Sequence, residues 1–465
     1  MNRAMLLSIA AAALLIDAAN AQSDPAPAAQ GLLQERSSVP FTDPTNPEQL
    51  SRDRSQSQEA IPQEQFDSPL SSLFGDELDL TPTFQIRGRI ETDATRAVQS
   101  EQSKALIGDL QNGYGFRRVR LGAFGNIGDA ASWLSEVELA GNNVRLRDVF
   151  IGFEIVPNVR QIRVGQFREP YSLEGMTSSN FITFMERAPT NVLSPTRNWG
   201  VCGYWWPEDE MWLFTLGFFR DGTQSSGQSL GDDEAWAATA RLTGLLIYEP
   251  DAEDFQLLHL GGAISQRTPP NDTINFTPRT GSSLLTVEDN PGSPFLPSLT
   301  FNSNSYQLYN LQAAGAYGSL SVQAEWSAAT VQQFNAGQVF THGTYFFGSY
   351  FLTGEHRGYD RTRGAFSQVD VLRPVTRSRN HPDSGYGAFE AAMRFAYFDM
   401  NSPNLPLDSN GNPAQTVLYE ITTGLNWYLN SNVRVMFDYT TGMPDKIAFG
   451  STSAHIFGVR AALYW

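Results

Sequence analysis

The chain has 465 residues, of which 41% are hydrophobic and 17% charged, and its formal net charge is −17 at pH 7. This acidic balance argues against a nucleic acid as a partner, because phosphate backbones are bound by proteins with excess cation. The single cysteine, Cys202, excludes an intrachain disulfide, so the fold has to be stable without one.

The N-terminal residues have the layout of a secretory signal peptide. Arg3 precedes an apolar stretch from residue 5 to residue 16, and the small residues Ala19 and Ala21 form a cleavage site. We therefore expect residues 1–21 to be a signal peptide that exports the chain. Beyond it the sequence has no run of about 18 apolar residues, so we expect no transmembrane helix.

Residues 22–81 are rich in Gln, Ser, Pro, Glu and Ala, and the prolines at positions 40, 44, 47, 62 and 69 leave no room for a helix of useful length. We expect a flexible periplasmic arm. Two roles stay open for this arm: it is a plain linker, or it anchors the chain to the cell wall or to a partner.

From Thr83 onward, the sequence consists of short runs in which apolar and polar residues alternate. In the first run, "TFQIRGRIE", Phe84 and Ile86 fall on one face of a strand while Arg87 and Arg89 fall on the other. Such alternation fits a soluble sandwich or a transmembrane barrel with an apolar outer band and a polar lumen. Because the apolar face recurs in nearly every run, we predict an all-β, antiparallel transmembrane β-barrel of about 16 strands over residues 82–465.

The connections between these runs differ in length in a regular way. If the first strand starts in the periplasm, the periplasmic turns are short: 126–131, 207–210, 318–319 and 430–432. The connections on the outer side are long: 94–113, 168–198, 220–234, 266–304, 400–415 and 441–454. Short inner turns and long outer loops are typical of such barrels. One long connection, residues 353–385, falls on the periplasmic side and breaks the pattern.

The last run, "SAHIFGVRAALYW", alternates up to its final residue, with Phe457 and Trp465 on the same apolar face. A final aromatic residue in an alternating segment resembles the signal by which outer-membrane barrels are recognised for insertion. We therefore expect Trp465 to be a lipid-facing anchor and an assembly signal for the barrel-assembly machinery.

Five stretches of the predicted barrel carry distinctive motifs. They are "GFRRVRLGAFGNIGD" (115–129), "LRDVFIGFE" with "VGQFREPYSLEGMTSSNFITFMERA" (146–188), "LTGEHRGYDRTRGAF" (352–366), "GAFEAAMRFAYFDMN" (387–401) and "GLNWYLNSNVRVMFDYTTG" (424–442). Together they resemble the phosphate-selective porin O and P family of Gram-negative outer membranes, over residues 82–465.

The resemblance implies a homotrimer of 16-stranded barrels in the outer membrane, with the loop after the fifth strand folded into the lumen. It also implies that the odd periplasmic connection folds inward. Members of the family that select phosphate do so with lysines at the constriction. This chain has only two lysines, Lys104 and Lys446, and neither lies in the five motifs, so phosphate selectivity does not carry over.

Alternation also predicts which side chains face the lumen. Arginine suits an anion path because its planar guanidinium is always charged and presents several donors to an oxyanion. The predicted pore-lining arginines are Arg87, Arg89, Arg118, Arg120, Arg163, Arg241, Arg394, Arg434 and Arg460. The same rule places carboxylates such as Glu91, Glu136 and Glu325 in the lumen, and charges on opposite walls also occur in non-selective pores.

Two inward-folding segments supply the predicted constriction. In the loop after the fifth strand the candidates are Glu169, Glu174, Glu186 and Arg187. In the odd periplasmic connection they are Glu355, Arg357, Arg361 and Arg363.

We find no enzyme motif, and the five histidines lack metal-ligand spacing. We expect no catalytic residue, no metal and no cofactor. The predicted function is a porin, a water-filled channel in the lipid bilayer for passive diffusion of small solutes, with a weak preference for anions that include phosphate or other oxyanions. The alternatives are a non-selective general diffusion porin and a plugged structural or adhesin protein.

Overall fold

The computed structural model describes residues 81–465, except 142, 155–158, 223–234, 277–285, 288–294, 376–383, 408–410 and 412. The predicted signal peptide, residues 1–21, and the predicted arm up to residue 80 lie outside the described residues. No helix among the described residues combines the length and the hydropathy that crossing a membrane requires.

Sixteen long antiparallel strands form one closed sheet, in which each strand pairs with its neighbours in sequence and the last pairs with the first. The all-β barrel of 16 strands is therefore confirmed. The strands are β1 (Gln85–Gln99), β2 (Gly113–Ile127), β3 (Ala131–Glu138), β4 (Arg145–Phe153), β5 (Gln161–Arg168), β6 (Arg197–Trp205), β7 (Trp212–Arg220), β8 (Trp236–Glu249), β9 (Gln256–Thr268), β10 (Leu299–Tyr317), β11 (Leu320–Gln333), β12 (Gln338–Phe351), β13 (Ala388–Met400), β14 (Thr416–Asn430), β15 (Val433–Lys446) and β16 (Ala454–Tyr464).

The remaining elements are short. Two α-helices are α1 (Glu101–Ile107) and α2 (Leu173–Met176), and two 3-10 helices span Pro189–Leu193 and Pro270–Asp272. Short strands span Leu110–Gln111, Thr273–Phe276, Thr286–Val287, Tyr359–Asp360, Ala365–Phe366 and Gly450–Ser451.

Closure of the barrel leaves no open strand edge in the membrane. The backbone N–H of Trp465 donates to the carbonyl of Gly88 at 3.1 Å, and the N–H of Gly88 donates back at 3.0 Å. Lipid offers no partner for backbone polar groups, so a sheet crosses a membrane only when it is closed in this way.

Alternation decides which side chains face the lipid. In β7 the exposed residues include Trp212 and Phe218, whereas Leu213 and Thr215 between them are buried inside the barrel. The same alternation runs through β16, where Phe457 is about half exposed and Arg460 is buried. An apolar outer face and a polar inner face follow from this pattern.

The two ends of the barrel differ as predicted. Turns such as 318–319 and 431–432 lie at one end, which we call the short-turn end, while the long connections 100–112 and 169–196 lie at the other, the long-loop end. At the long-loop end, the largest cluster of buried apolar side chains packs the loops against the wall. This cluster is the main hydrophobic core inside the barrel.

Two segments fold into the barrel, which confirms the predicted inward folding. The constriction loop, residues 169–196, joins β5 to β6. The inward connection, described at residues 352–375 and 384–387, joins β12 to β13 at the short-turn end. Its Tyr359 hydroxyl lies 2.6 Å from Nδ1 of His259 on β9, and its Gly364 carbonyl accepts a hydrogen bond from Arg241 on β8 at 2.6 Å.

Gly165 in β5 provides a test of how closely the strands of the barrel wall are packed. Its φ is +133°, and a Cβ at this position would collide with the Val149 carbonyl oxygen and lie 2.7 Å from Phe150 Cα. Gly165→Ala should therefore cost about 1–3 kcal/mol of barrel stability. It should lower the temperature at which the folded band disappears in heat-modifiability electrophoresis. The matched control is Gly348→Ala in β12, where the nearest atom is the Ser321 carbonyl oxygen at 3.9 Å. Equal melting temperatures for the two variants would contradict the expectation.

Candidate functional site

The wall of the barrel holds the constriction loop through its backbone. Carboxylate oxygens of Glu325 on β11 accept the N–H groups of Leu173 and Glu174, at 2.9 and 2.7 Å. Oδ2 of Asp438 on β15 accepts the N–H of Met185 at 2.7 Å. Buried carboxylates require such partners, and the loop supplies them with peptide groups.

Arginines of the wall bind the loop from the same side. Arg434 donates to the Ile182 carbonyl at 2.9 Å, and Arg394 donates to the Glu186 carbonyl at 2.9 Å. Arg460 donates to the Met185 carbonyl at 2.5 Å and also binds Asp93 on β1 through two nitrogens, both at 2.7 Å. The three guanidinium groups are at most 2% exposed, so the constriction loop covers them.

Arg241 has the corresponding position under the inward connection. It donates to the carbonyls of Arg363 and Gly364, at 2.9 and 2.6 Å, and to Gln312. Four of the nine predicted pore-lining arginines are thus buried beneath inward-folded segments. The other five lie along a cavity: Arg87, Arg89, Arg118, Arg120 and Arg163.

This cavity has a volume of about 1140 Å³. Ile274 and Phe276 line it near the long-loop end, and Asn126 and Trp206 line it near the short-turn end. Most of its wall comes from β1 to β6 and from the constriction loop. The cavity therefore runs lengthwise inside the barrel, on the side that the two inward segments leave open.

On the β1–β3 part of the wall, arginines alternate with carboxylates. Arg118 forms an ion pair with Glu91, and Arg120 binds Glu136 at 3.1 Å and Glu138 at 2.7 Å. Arg89 lies directly opposite Arg120, and Arg87 lies 3.3 Å from Glu136. The positive charge on this part of the wall is largely balanced within it.

Arg163 on β5 has a different environment. Its guanidinium carbon lies 4.2 Å from the centre of the Phe150 ring, 4.7 Å from that of Tyr204 and 5.5 Å from that of Phe167. Among the described residues its one side-chain hydrogen bond goes to Gln161 at 2.8 Å. Aromatic rings hold the cation in place without cancelling its charge.

The predicted residues of the constriction loop have separate environments. Glu169 binds Arg267 on β9 at 2.8 Å and is buried. Glu186 lies between Arg117 at 2.6 Å and Arg460 at 3.0 Å. Arg187 lines the cavity and donates to two loop carbonyls, those of Glu174 and Thr177.

The four predicted residues of the inward connection are spread along it. Glu355 accepts the Leu372 N–H at 3.2 Å, and Arg357 lies over the Phe366 ring at 3.5 Å. Arg361 pairs with Glu210 at 2.9 Å. Arg363 pairs with Asp360 at 3.3 Å, and both residues line the cavity. The predicted assembly signal, Trp465, is half exposed on the outer surface.

Sequence alternation missed further cavity arginines, two of them because β-bulges interrupt it. Glu91 pairs with Arg118 and Thr92 with Phe116, so Arg117 is the extra residue of a bulge. A second bulge between Ser135 and Val137 brings adjacent residues of β4 to the cavity. The arginines missed are Arg117, Arg145, Arg147, Arg168, Arg197 and Arg267. For Arg117 and Arg147 the only sequence signal is the pairs of adjacent charged residues at 117–118 and 147–148.

Taken together, thirteen arginines and six carboxylates line the cavity within the described part of the chain, and no lysine does. The carboxylates are Glu138, Asp148, Glu154, Glu186, Asp221 and Asp360. Among the same residues, no group of three or more His, Cys, Asp or Glu side chains has the arrangement of a metal site.

Two glutamates of the constriction loop differ in their ionisation. Burial raises the pKa of Glu174 to about 7; nearby Arg394 opposes this shift and Glu325 adds to it. Burial also acts to raise the pKa of Glu186, but Arg117 and Arg460 outweigh it and hold that pKa well below its usual range. Glu186 is therefore charged at neutral pH, whereas Glu174 titrates close to neutrality.

Comparison with known proteins gives a family match over the barrel. The sequence model of the family described as "Phosphate-selective porin O and P" matches residues 84–465. Porin O of Pseudomonas aeruginosa is 24% identical over 305 residues, which are 62% of this chain and 66% of that protein. An uncharacterized protein of Caulobacter vibrioides is 27% identical over 395 residues, which are 82% of this chain and 74% of that protein.

A solved structure shares the fold. An anion-selective porin from Comamonas acidovorans superimposes with a TM-score of 0.50 at 13% sequence identity. The match covers 83% of this chain and 100% of that chain.

Titration of Glu174 should make the barrel less stable as the pH rises. The pKa of about 7 in the folded chain lies above the ordinary value of 4.5, so the folded state holds a proton that the unfolded state releases. Stability is then lost between about pH 4.5 and 7, by up to about 3 kcal/mol. Glu174→Gln keeps an acceptor for the Ala188 N–H but cannot ionise. We expect its melting temperature to fall less than that of the wild type between pH 5 and pH 8.

Glu186→Gln is the matched control for this measurement, because Glu186 stays charged between pH 5 and pH 8. Its substitution should lower the melting temperature by similar amounts at pH 5 and pH 8. If Glu174→Gln and the wild type lose the same number of degrees between the two pH values, the assignment of the titration to Glu174 is wrong.

Proposed function

The chain belongs to the phosphate-selective porin O and P family and is therefore an outer-membrane porin, a channel and not an enzyme; on this premise we propose that its pore prefers anions. The observation that carries the proposal is the excess of thirteen arginines over six carboxylates around the cavity. Rings of arginine or lysine are the usual means by which pores favour anions.

The excess is larger than ion pairing can cancel. Five of the cavity arginines have no carboxylate oxygen within 4 Å among the described residues: Arg145, Arg147, Arg163, Arg168 and Arg187. The charge of these five arginines acts on any ion or solute in the cavity. A cavity with low-dielectric walls concentrates such a field and raises the local concentration of ions of opposite sign.

A non-selective pore is the second candidate, and a specific observation favours it. The arginines of β1 and β2 pair with Glu91, Glu136 and Glu138, so this part of the wall carries little net charge. The preference for anions is therefore expected to be weak and to come mainly from the unpaired arginines.

The residues that line the cavity also indicate which class of solute permeates. Phosphate and other oxyanions fit guanidinium donors, and the family description names phosphate. Lys104 and Lys446 are absent from the cavity lining, so we propose small anions in general and not phosphate alone.

The sequence supports further proposals about assembly. We propose that the chain acts as a homotrimer, that residues 1–21 are a signal peptide, and that residues 22–81 form a periplasmic arm. We also propose that Trp465 contributes to recognition by the barrel-assembly machinery.

The test is the reversal potential of the purified protein in a planar bilayer with a KCl gradient. We expect a reversal potential whose sign corresponds to chloride permeation. A reversal potential of the opposite sign, which indicates cation selectivity, would overturn the proposal. Arg163→Gln should lower the ratio of chloride to potassium permeability by a factor of up to about four, because one charge at about 10 Å in water favours chloride by roughly 0.4 kcal/mol and disfavours potassium by the same amount.

The matched control for Arg163→Gln is Arg96→Gln. Arg96 is an exposed residue of β1 outside the cavity lining. It carries the same charge, so its substitution should leave the permeability ratio unchanged. If the two variants shift the ratio equally, the effect is one of net charge and not of the cavity.

A further inference from the structure

A second, smaller cavity opens at the short-turn end of the barrel. Its volume is about 420 Å³, which is within the range of pockets that hold a small molecule. Three segments surround it: the constriction loop, the end of β8 with the turn that follows it (residues 250–255), and the inward connection. The side chains around it include Phe181, Tyr248, Phe255, His356, Tyr359 and Asp370.

The inward connection separates the smaller cavity from the larger, arginine-lined one. Tyr359 lines the smaller cavity, whereas the next residue, Asp360, lines the larger one. Pro250, His356 and Asp370 are exposed where they line the smaller cavity. A solute at the short-turn end therefore reaches this cavity without passing the arginines.

Aromatic rings of the smaller cavity pack on one another. The imidazole of His356 stacks on the Phe255 ring, with the two centroids 4.2 Å apart and an angle of 9° between the planes. The Tyr248 ring meets Phe255 edge to face at 6.1 Å. Phe255 is buried, so the wall of the barrel fixes the position of the group. Ring faces carry negative electrostatic potential and attract cations.

The protein already places one of its own cations against this aromatic group. The guanidinium carbon of Arg361 lies 5.1 Å from the centre of the Tyr248 ring. The charge of Arg361 is balanced by Glu210 at 2.9 Å. Arg361 therefore shows that the rings accept a cation while its own charge is largely neutralised.

The charge around the smaller cavity is negative. Asp370 lines the cavity, and no arginine or lysine of the described residues does. Within the described ranges, no nitrogen of Arg, Lys or His lies within 4 Å of the Asp370 carboxylate. Asp251, Glu253 and Asp254 are exposed in the turn between β8 and β9. The two cavities thus have opposite electrostatic character.

An ammonium ion with apolar substituents fits this combination of groups. Its charge is attracted by Asp370 and by the ring faces, and its methyl or methylene groups pack against Phe181 and Phe255. A hard metal ion requires several oxygen ligands, and the described part of the chain holds no such group of side chains. An organic anion is repelled by the unpaired carboxylate.

We propose that the smaller cavity, between the inward connection and the turn from β8 to β9, binds small organic ammonium ions from the short-turn end. The site lies outside the arginine-lined cavity, so its occupancy does not depend on the ion selectivity of the pore. The barrel then offers separate sites to solutes of opposite charge.

The experiment is a titration of the detergent-purified protein with choline at constant chloride concentration, followed by NMR through the broadening of the choline trimethyl signal. The neutral isostere 3,3-dimethylbutan-1-ol, in which carbon replaces the nitrogen, is titrated in the same way. Broadening in protein-free micelles is subtracted from both. We expect the isostere to bind about fivefold more weakly, because it lacks the charge that the rings attract. Equal binding of the two compounds, or no binding of choline, would overturn the proposal.

Asp370→Asn is the principal variant, because it removes a charge at an exposed position and keeps the shape of the side chain. It should raise the dissociation constant of choline about threefold and leave that of the isostere unchanged. The matched control is Asp251→Asn, which removes an exposed carboxylate of the neighbouring turn outside the cavity lining. The control should bind choline as the wild type does.

Phe255→Leu tests the aromatic group. Leucine keeps an apolar side chain at this buried position but removes the ring on which His356 stacks. The dissociation constant of choline should rise about fivefold. Heat-modifiability electrophoresis verifies that each variant forms the folded barrel.

The outcomes separate this site from the selectivity of the pore. Undiminished choline binding in both Asp370→Asn and Phe255→Leu overturns the site. An equal loss of binding in Asp370→Asn and Asp251→Asn also overturns it, because choline is then attracted by the acidic surface as a whole. The reversal potential tests the anion preference independently, so either proposal can fail while the other stands.

Discussion

Burial of charge on the inner face of the barrel is the constraint on which the rest of the structure depends. Arg394, Arg434 and Arg460 are at most 2% exposed, and a buried charge without partners costs several kcal/mol. The partners are peptide groups of the constriction loop: guanidinium groups take its carbonyls, and Glu325 and Asp438 take its N–H groups. The wall and the loop therefore stabilise each other, and neither arrangement is satisfied without the other.

The same constraint divides the interior into two unlike halves. On the side of β8 to β15, the two inward segments cover the charged wall and fill the space. On the side of β1 to β6, the wall charges pair with one another or stay open to the cavity. The channel is thus displaced toward one side of the barrel. The charged side chains that line the channel are those that the two inward segments do not cover.

The fold could be predicted from the sequence to a large extent, because period-two alternation reports directly on a wall with lipid on one face and water on the other. Alternation assigned Arg394 and Arg163 to the inner face alike, but it carries no information on what covers a residue. Only the folded loop buries the first and leaves the second at the cavity. The position of Arg117 and Arg147 at the cavity could not be predicted for another reason. Each lies at a β-bulge, where the alternation of inward and outward side chains changes phase.

A net charge of −17 is compatible with a pore that favours anions, since an ion in the cavity responds to the charges around it and not to the total. The Debye length is about 8 Å at physiological ionic strength, so exposed carboxylates in the turns and outer loops are screened from an ion inside the barrel. The six carboxylates of the lining are not screened in this way, and most of them already hold an arginine: Asp148 binds Arg197, and Glu186 binds Arg117. An ion that enters the cavity therefore interacts mainly with the lining side chains that have no ion-pair partner, and their net charge is positive.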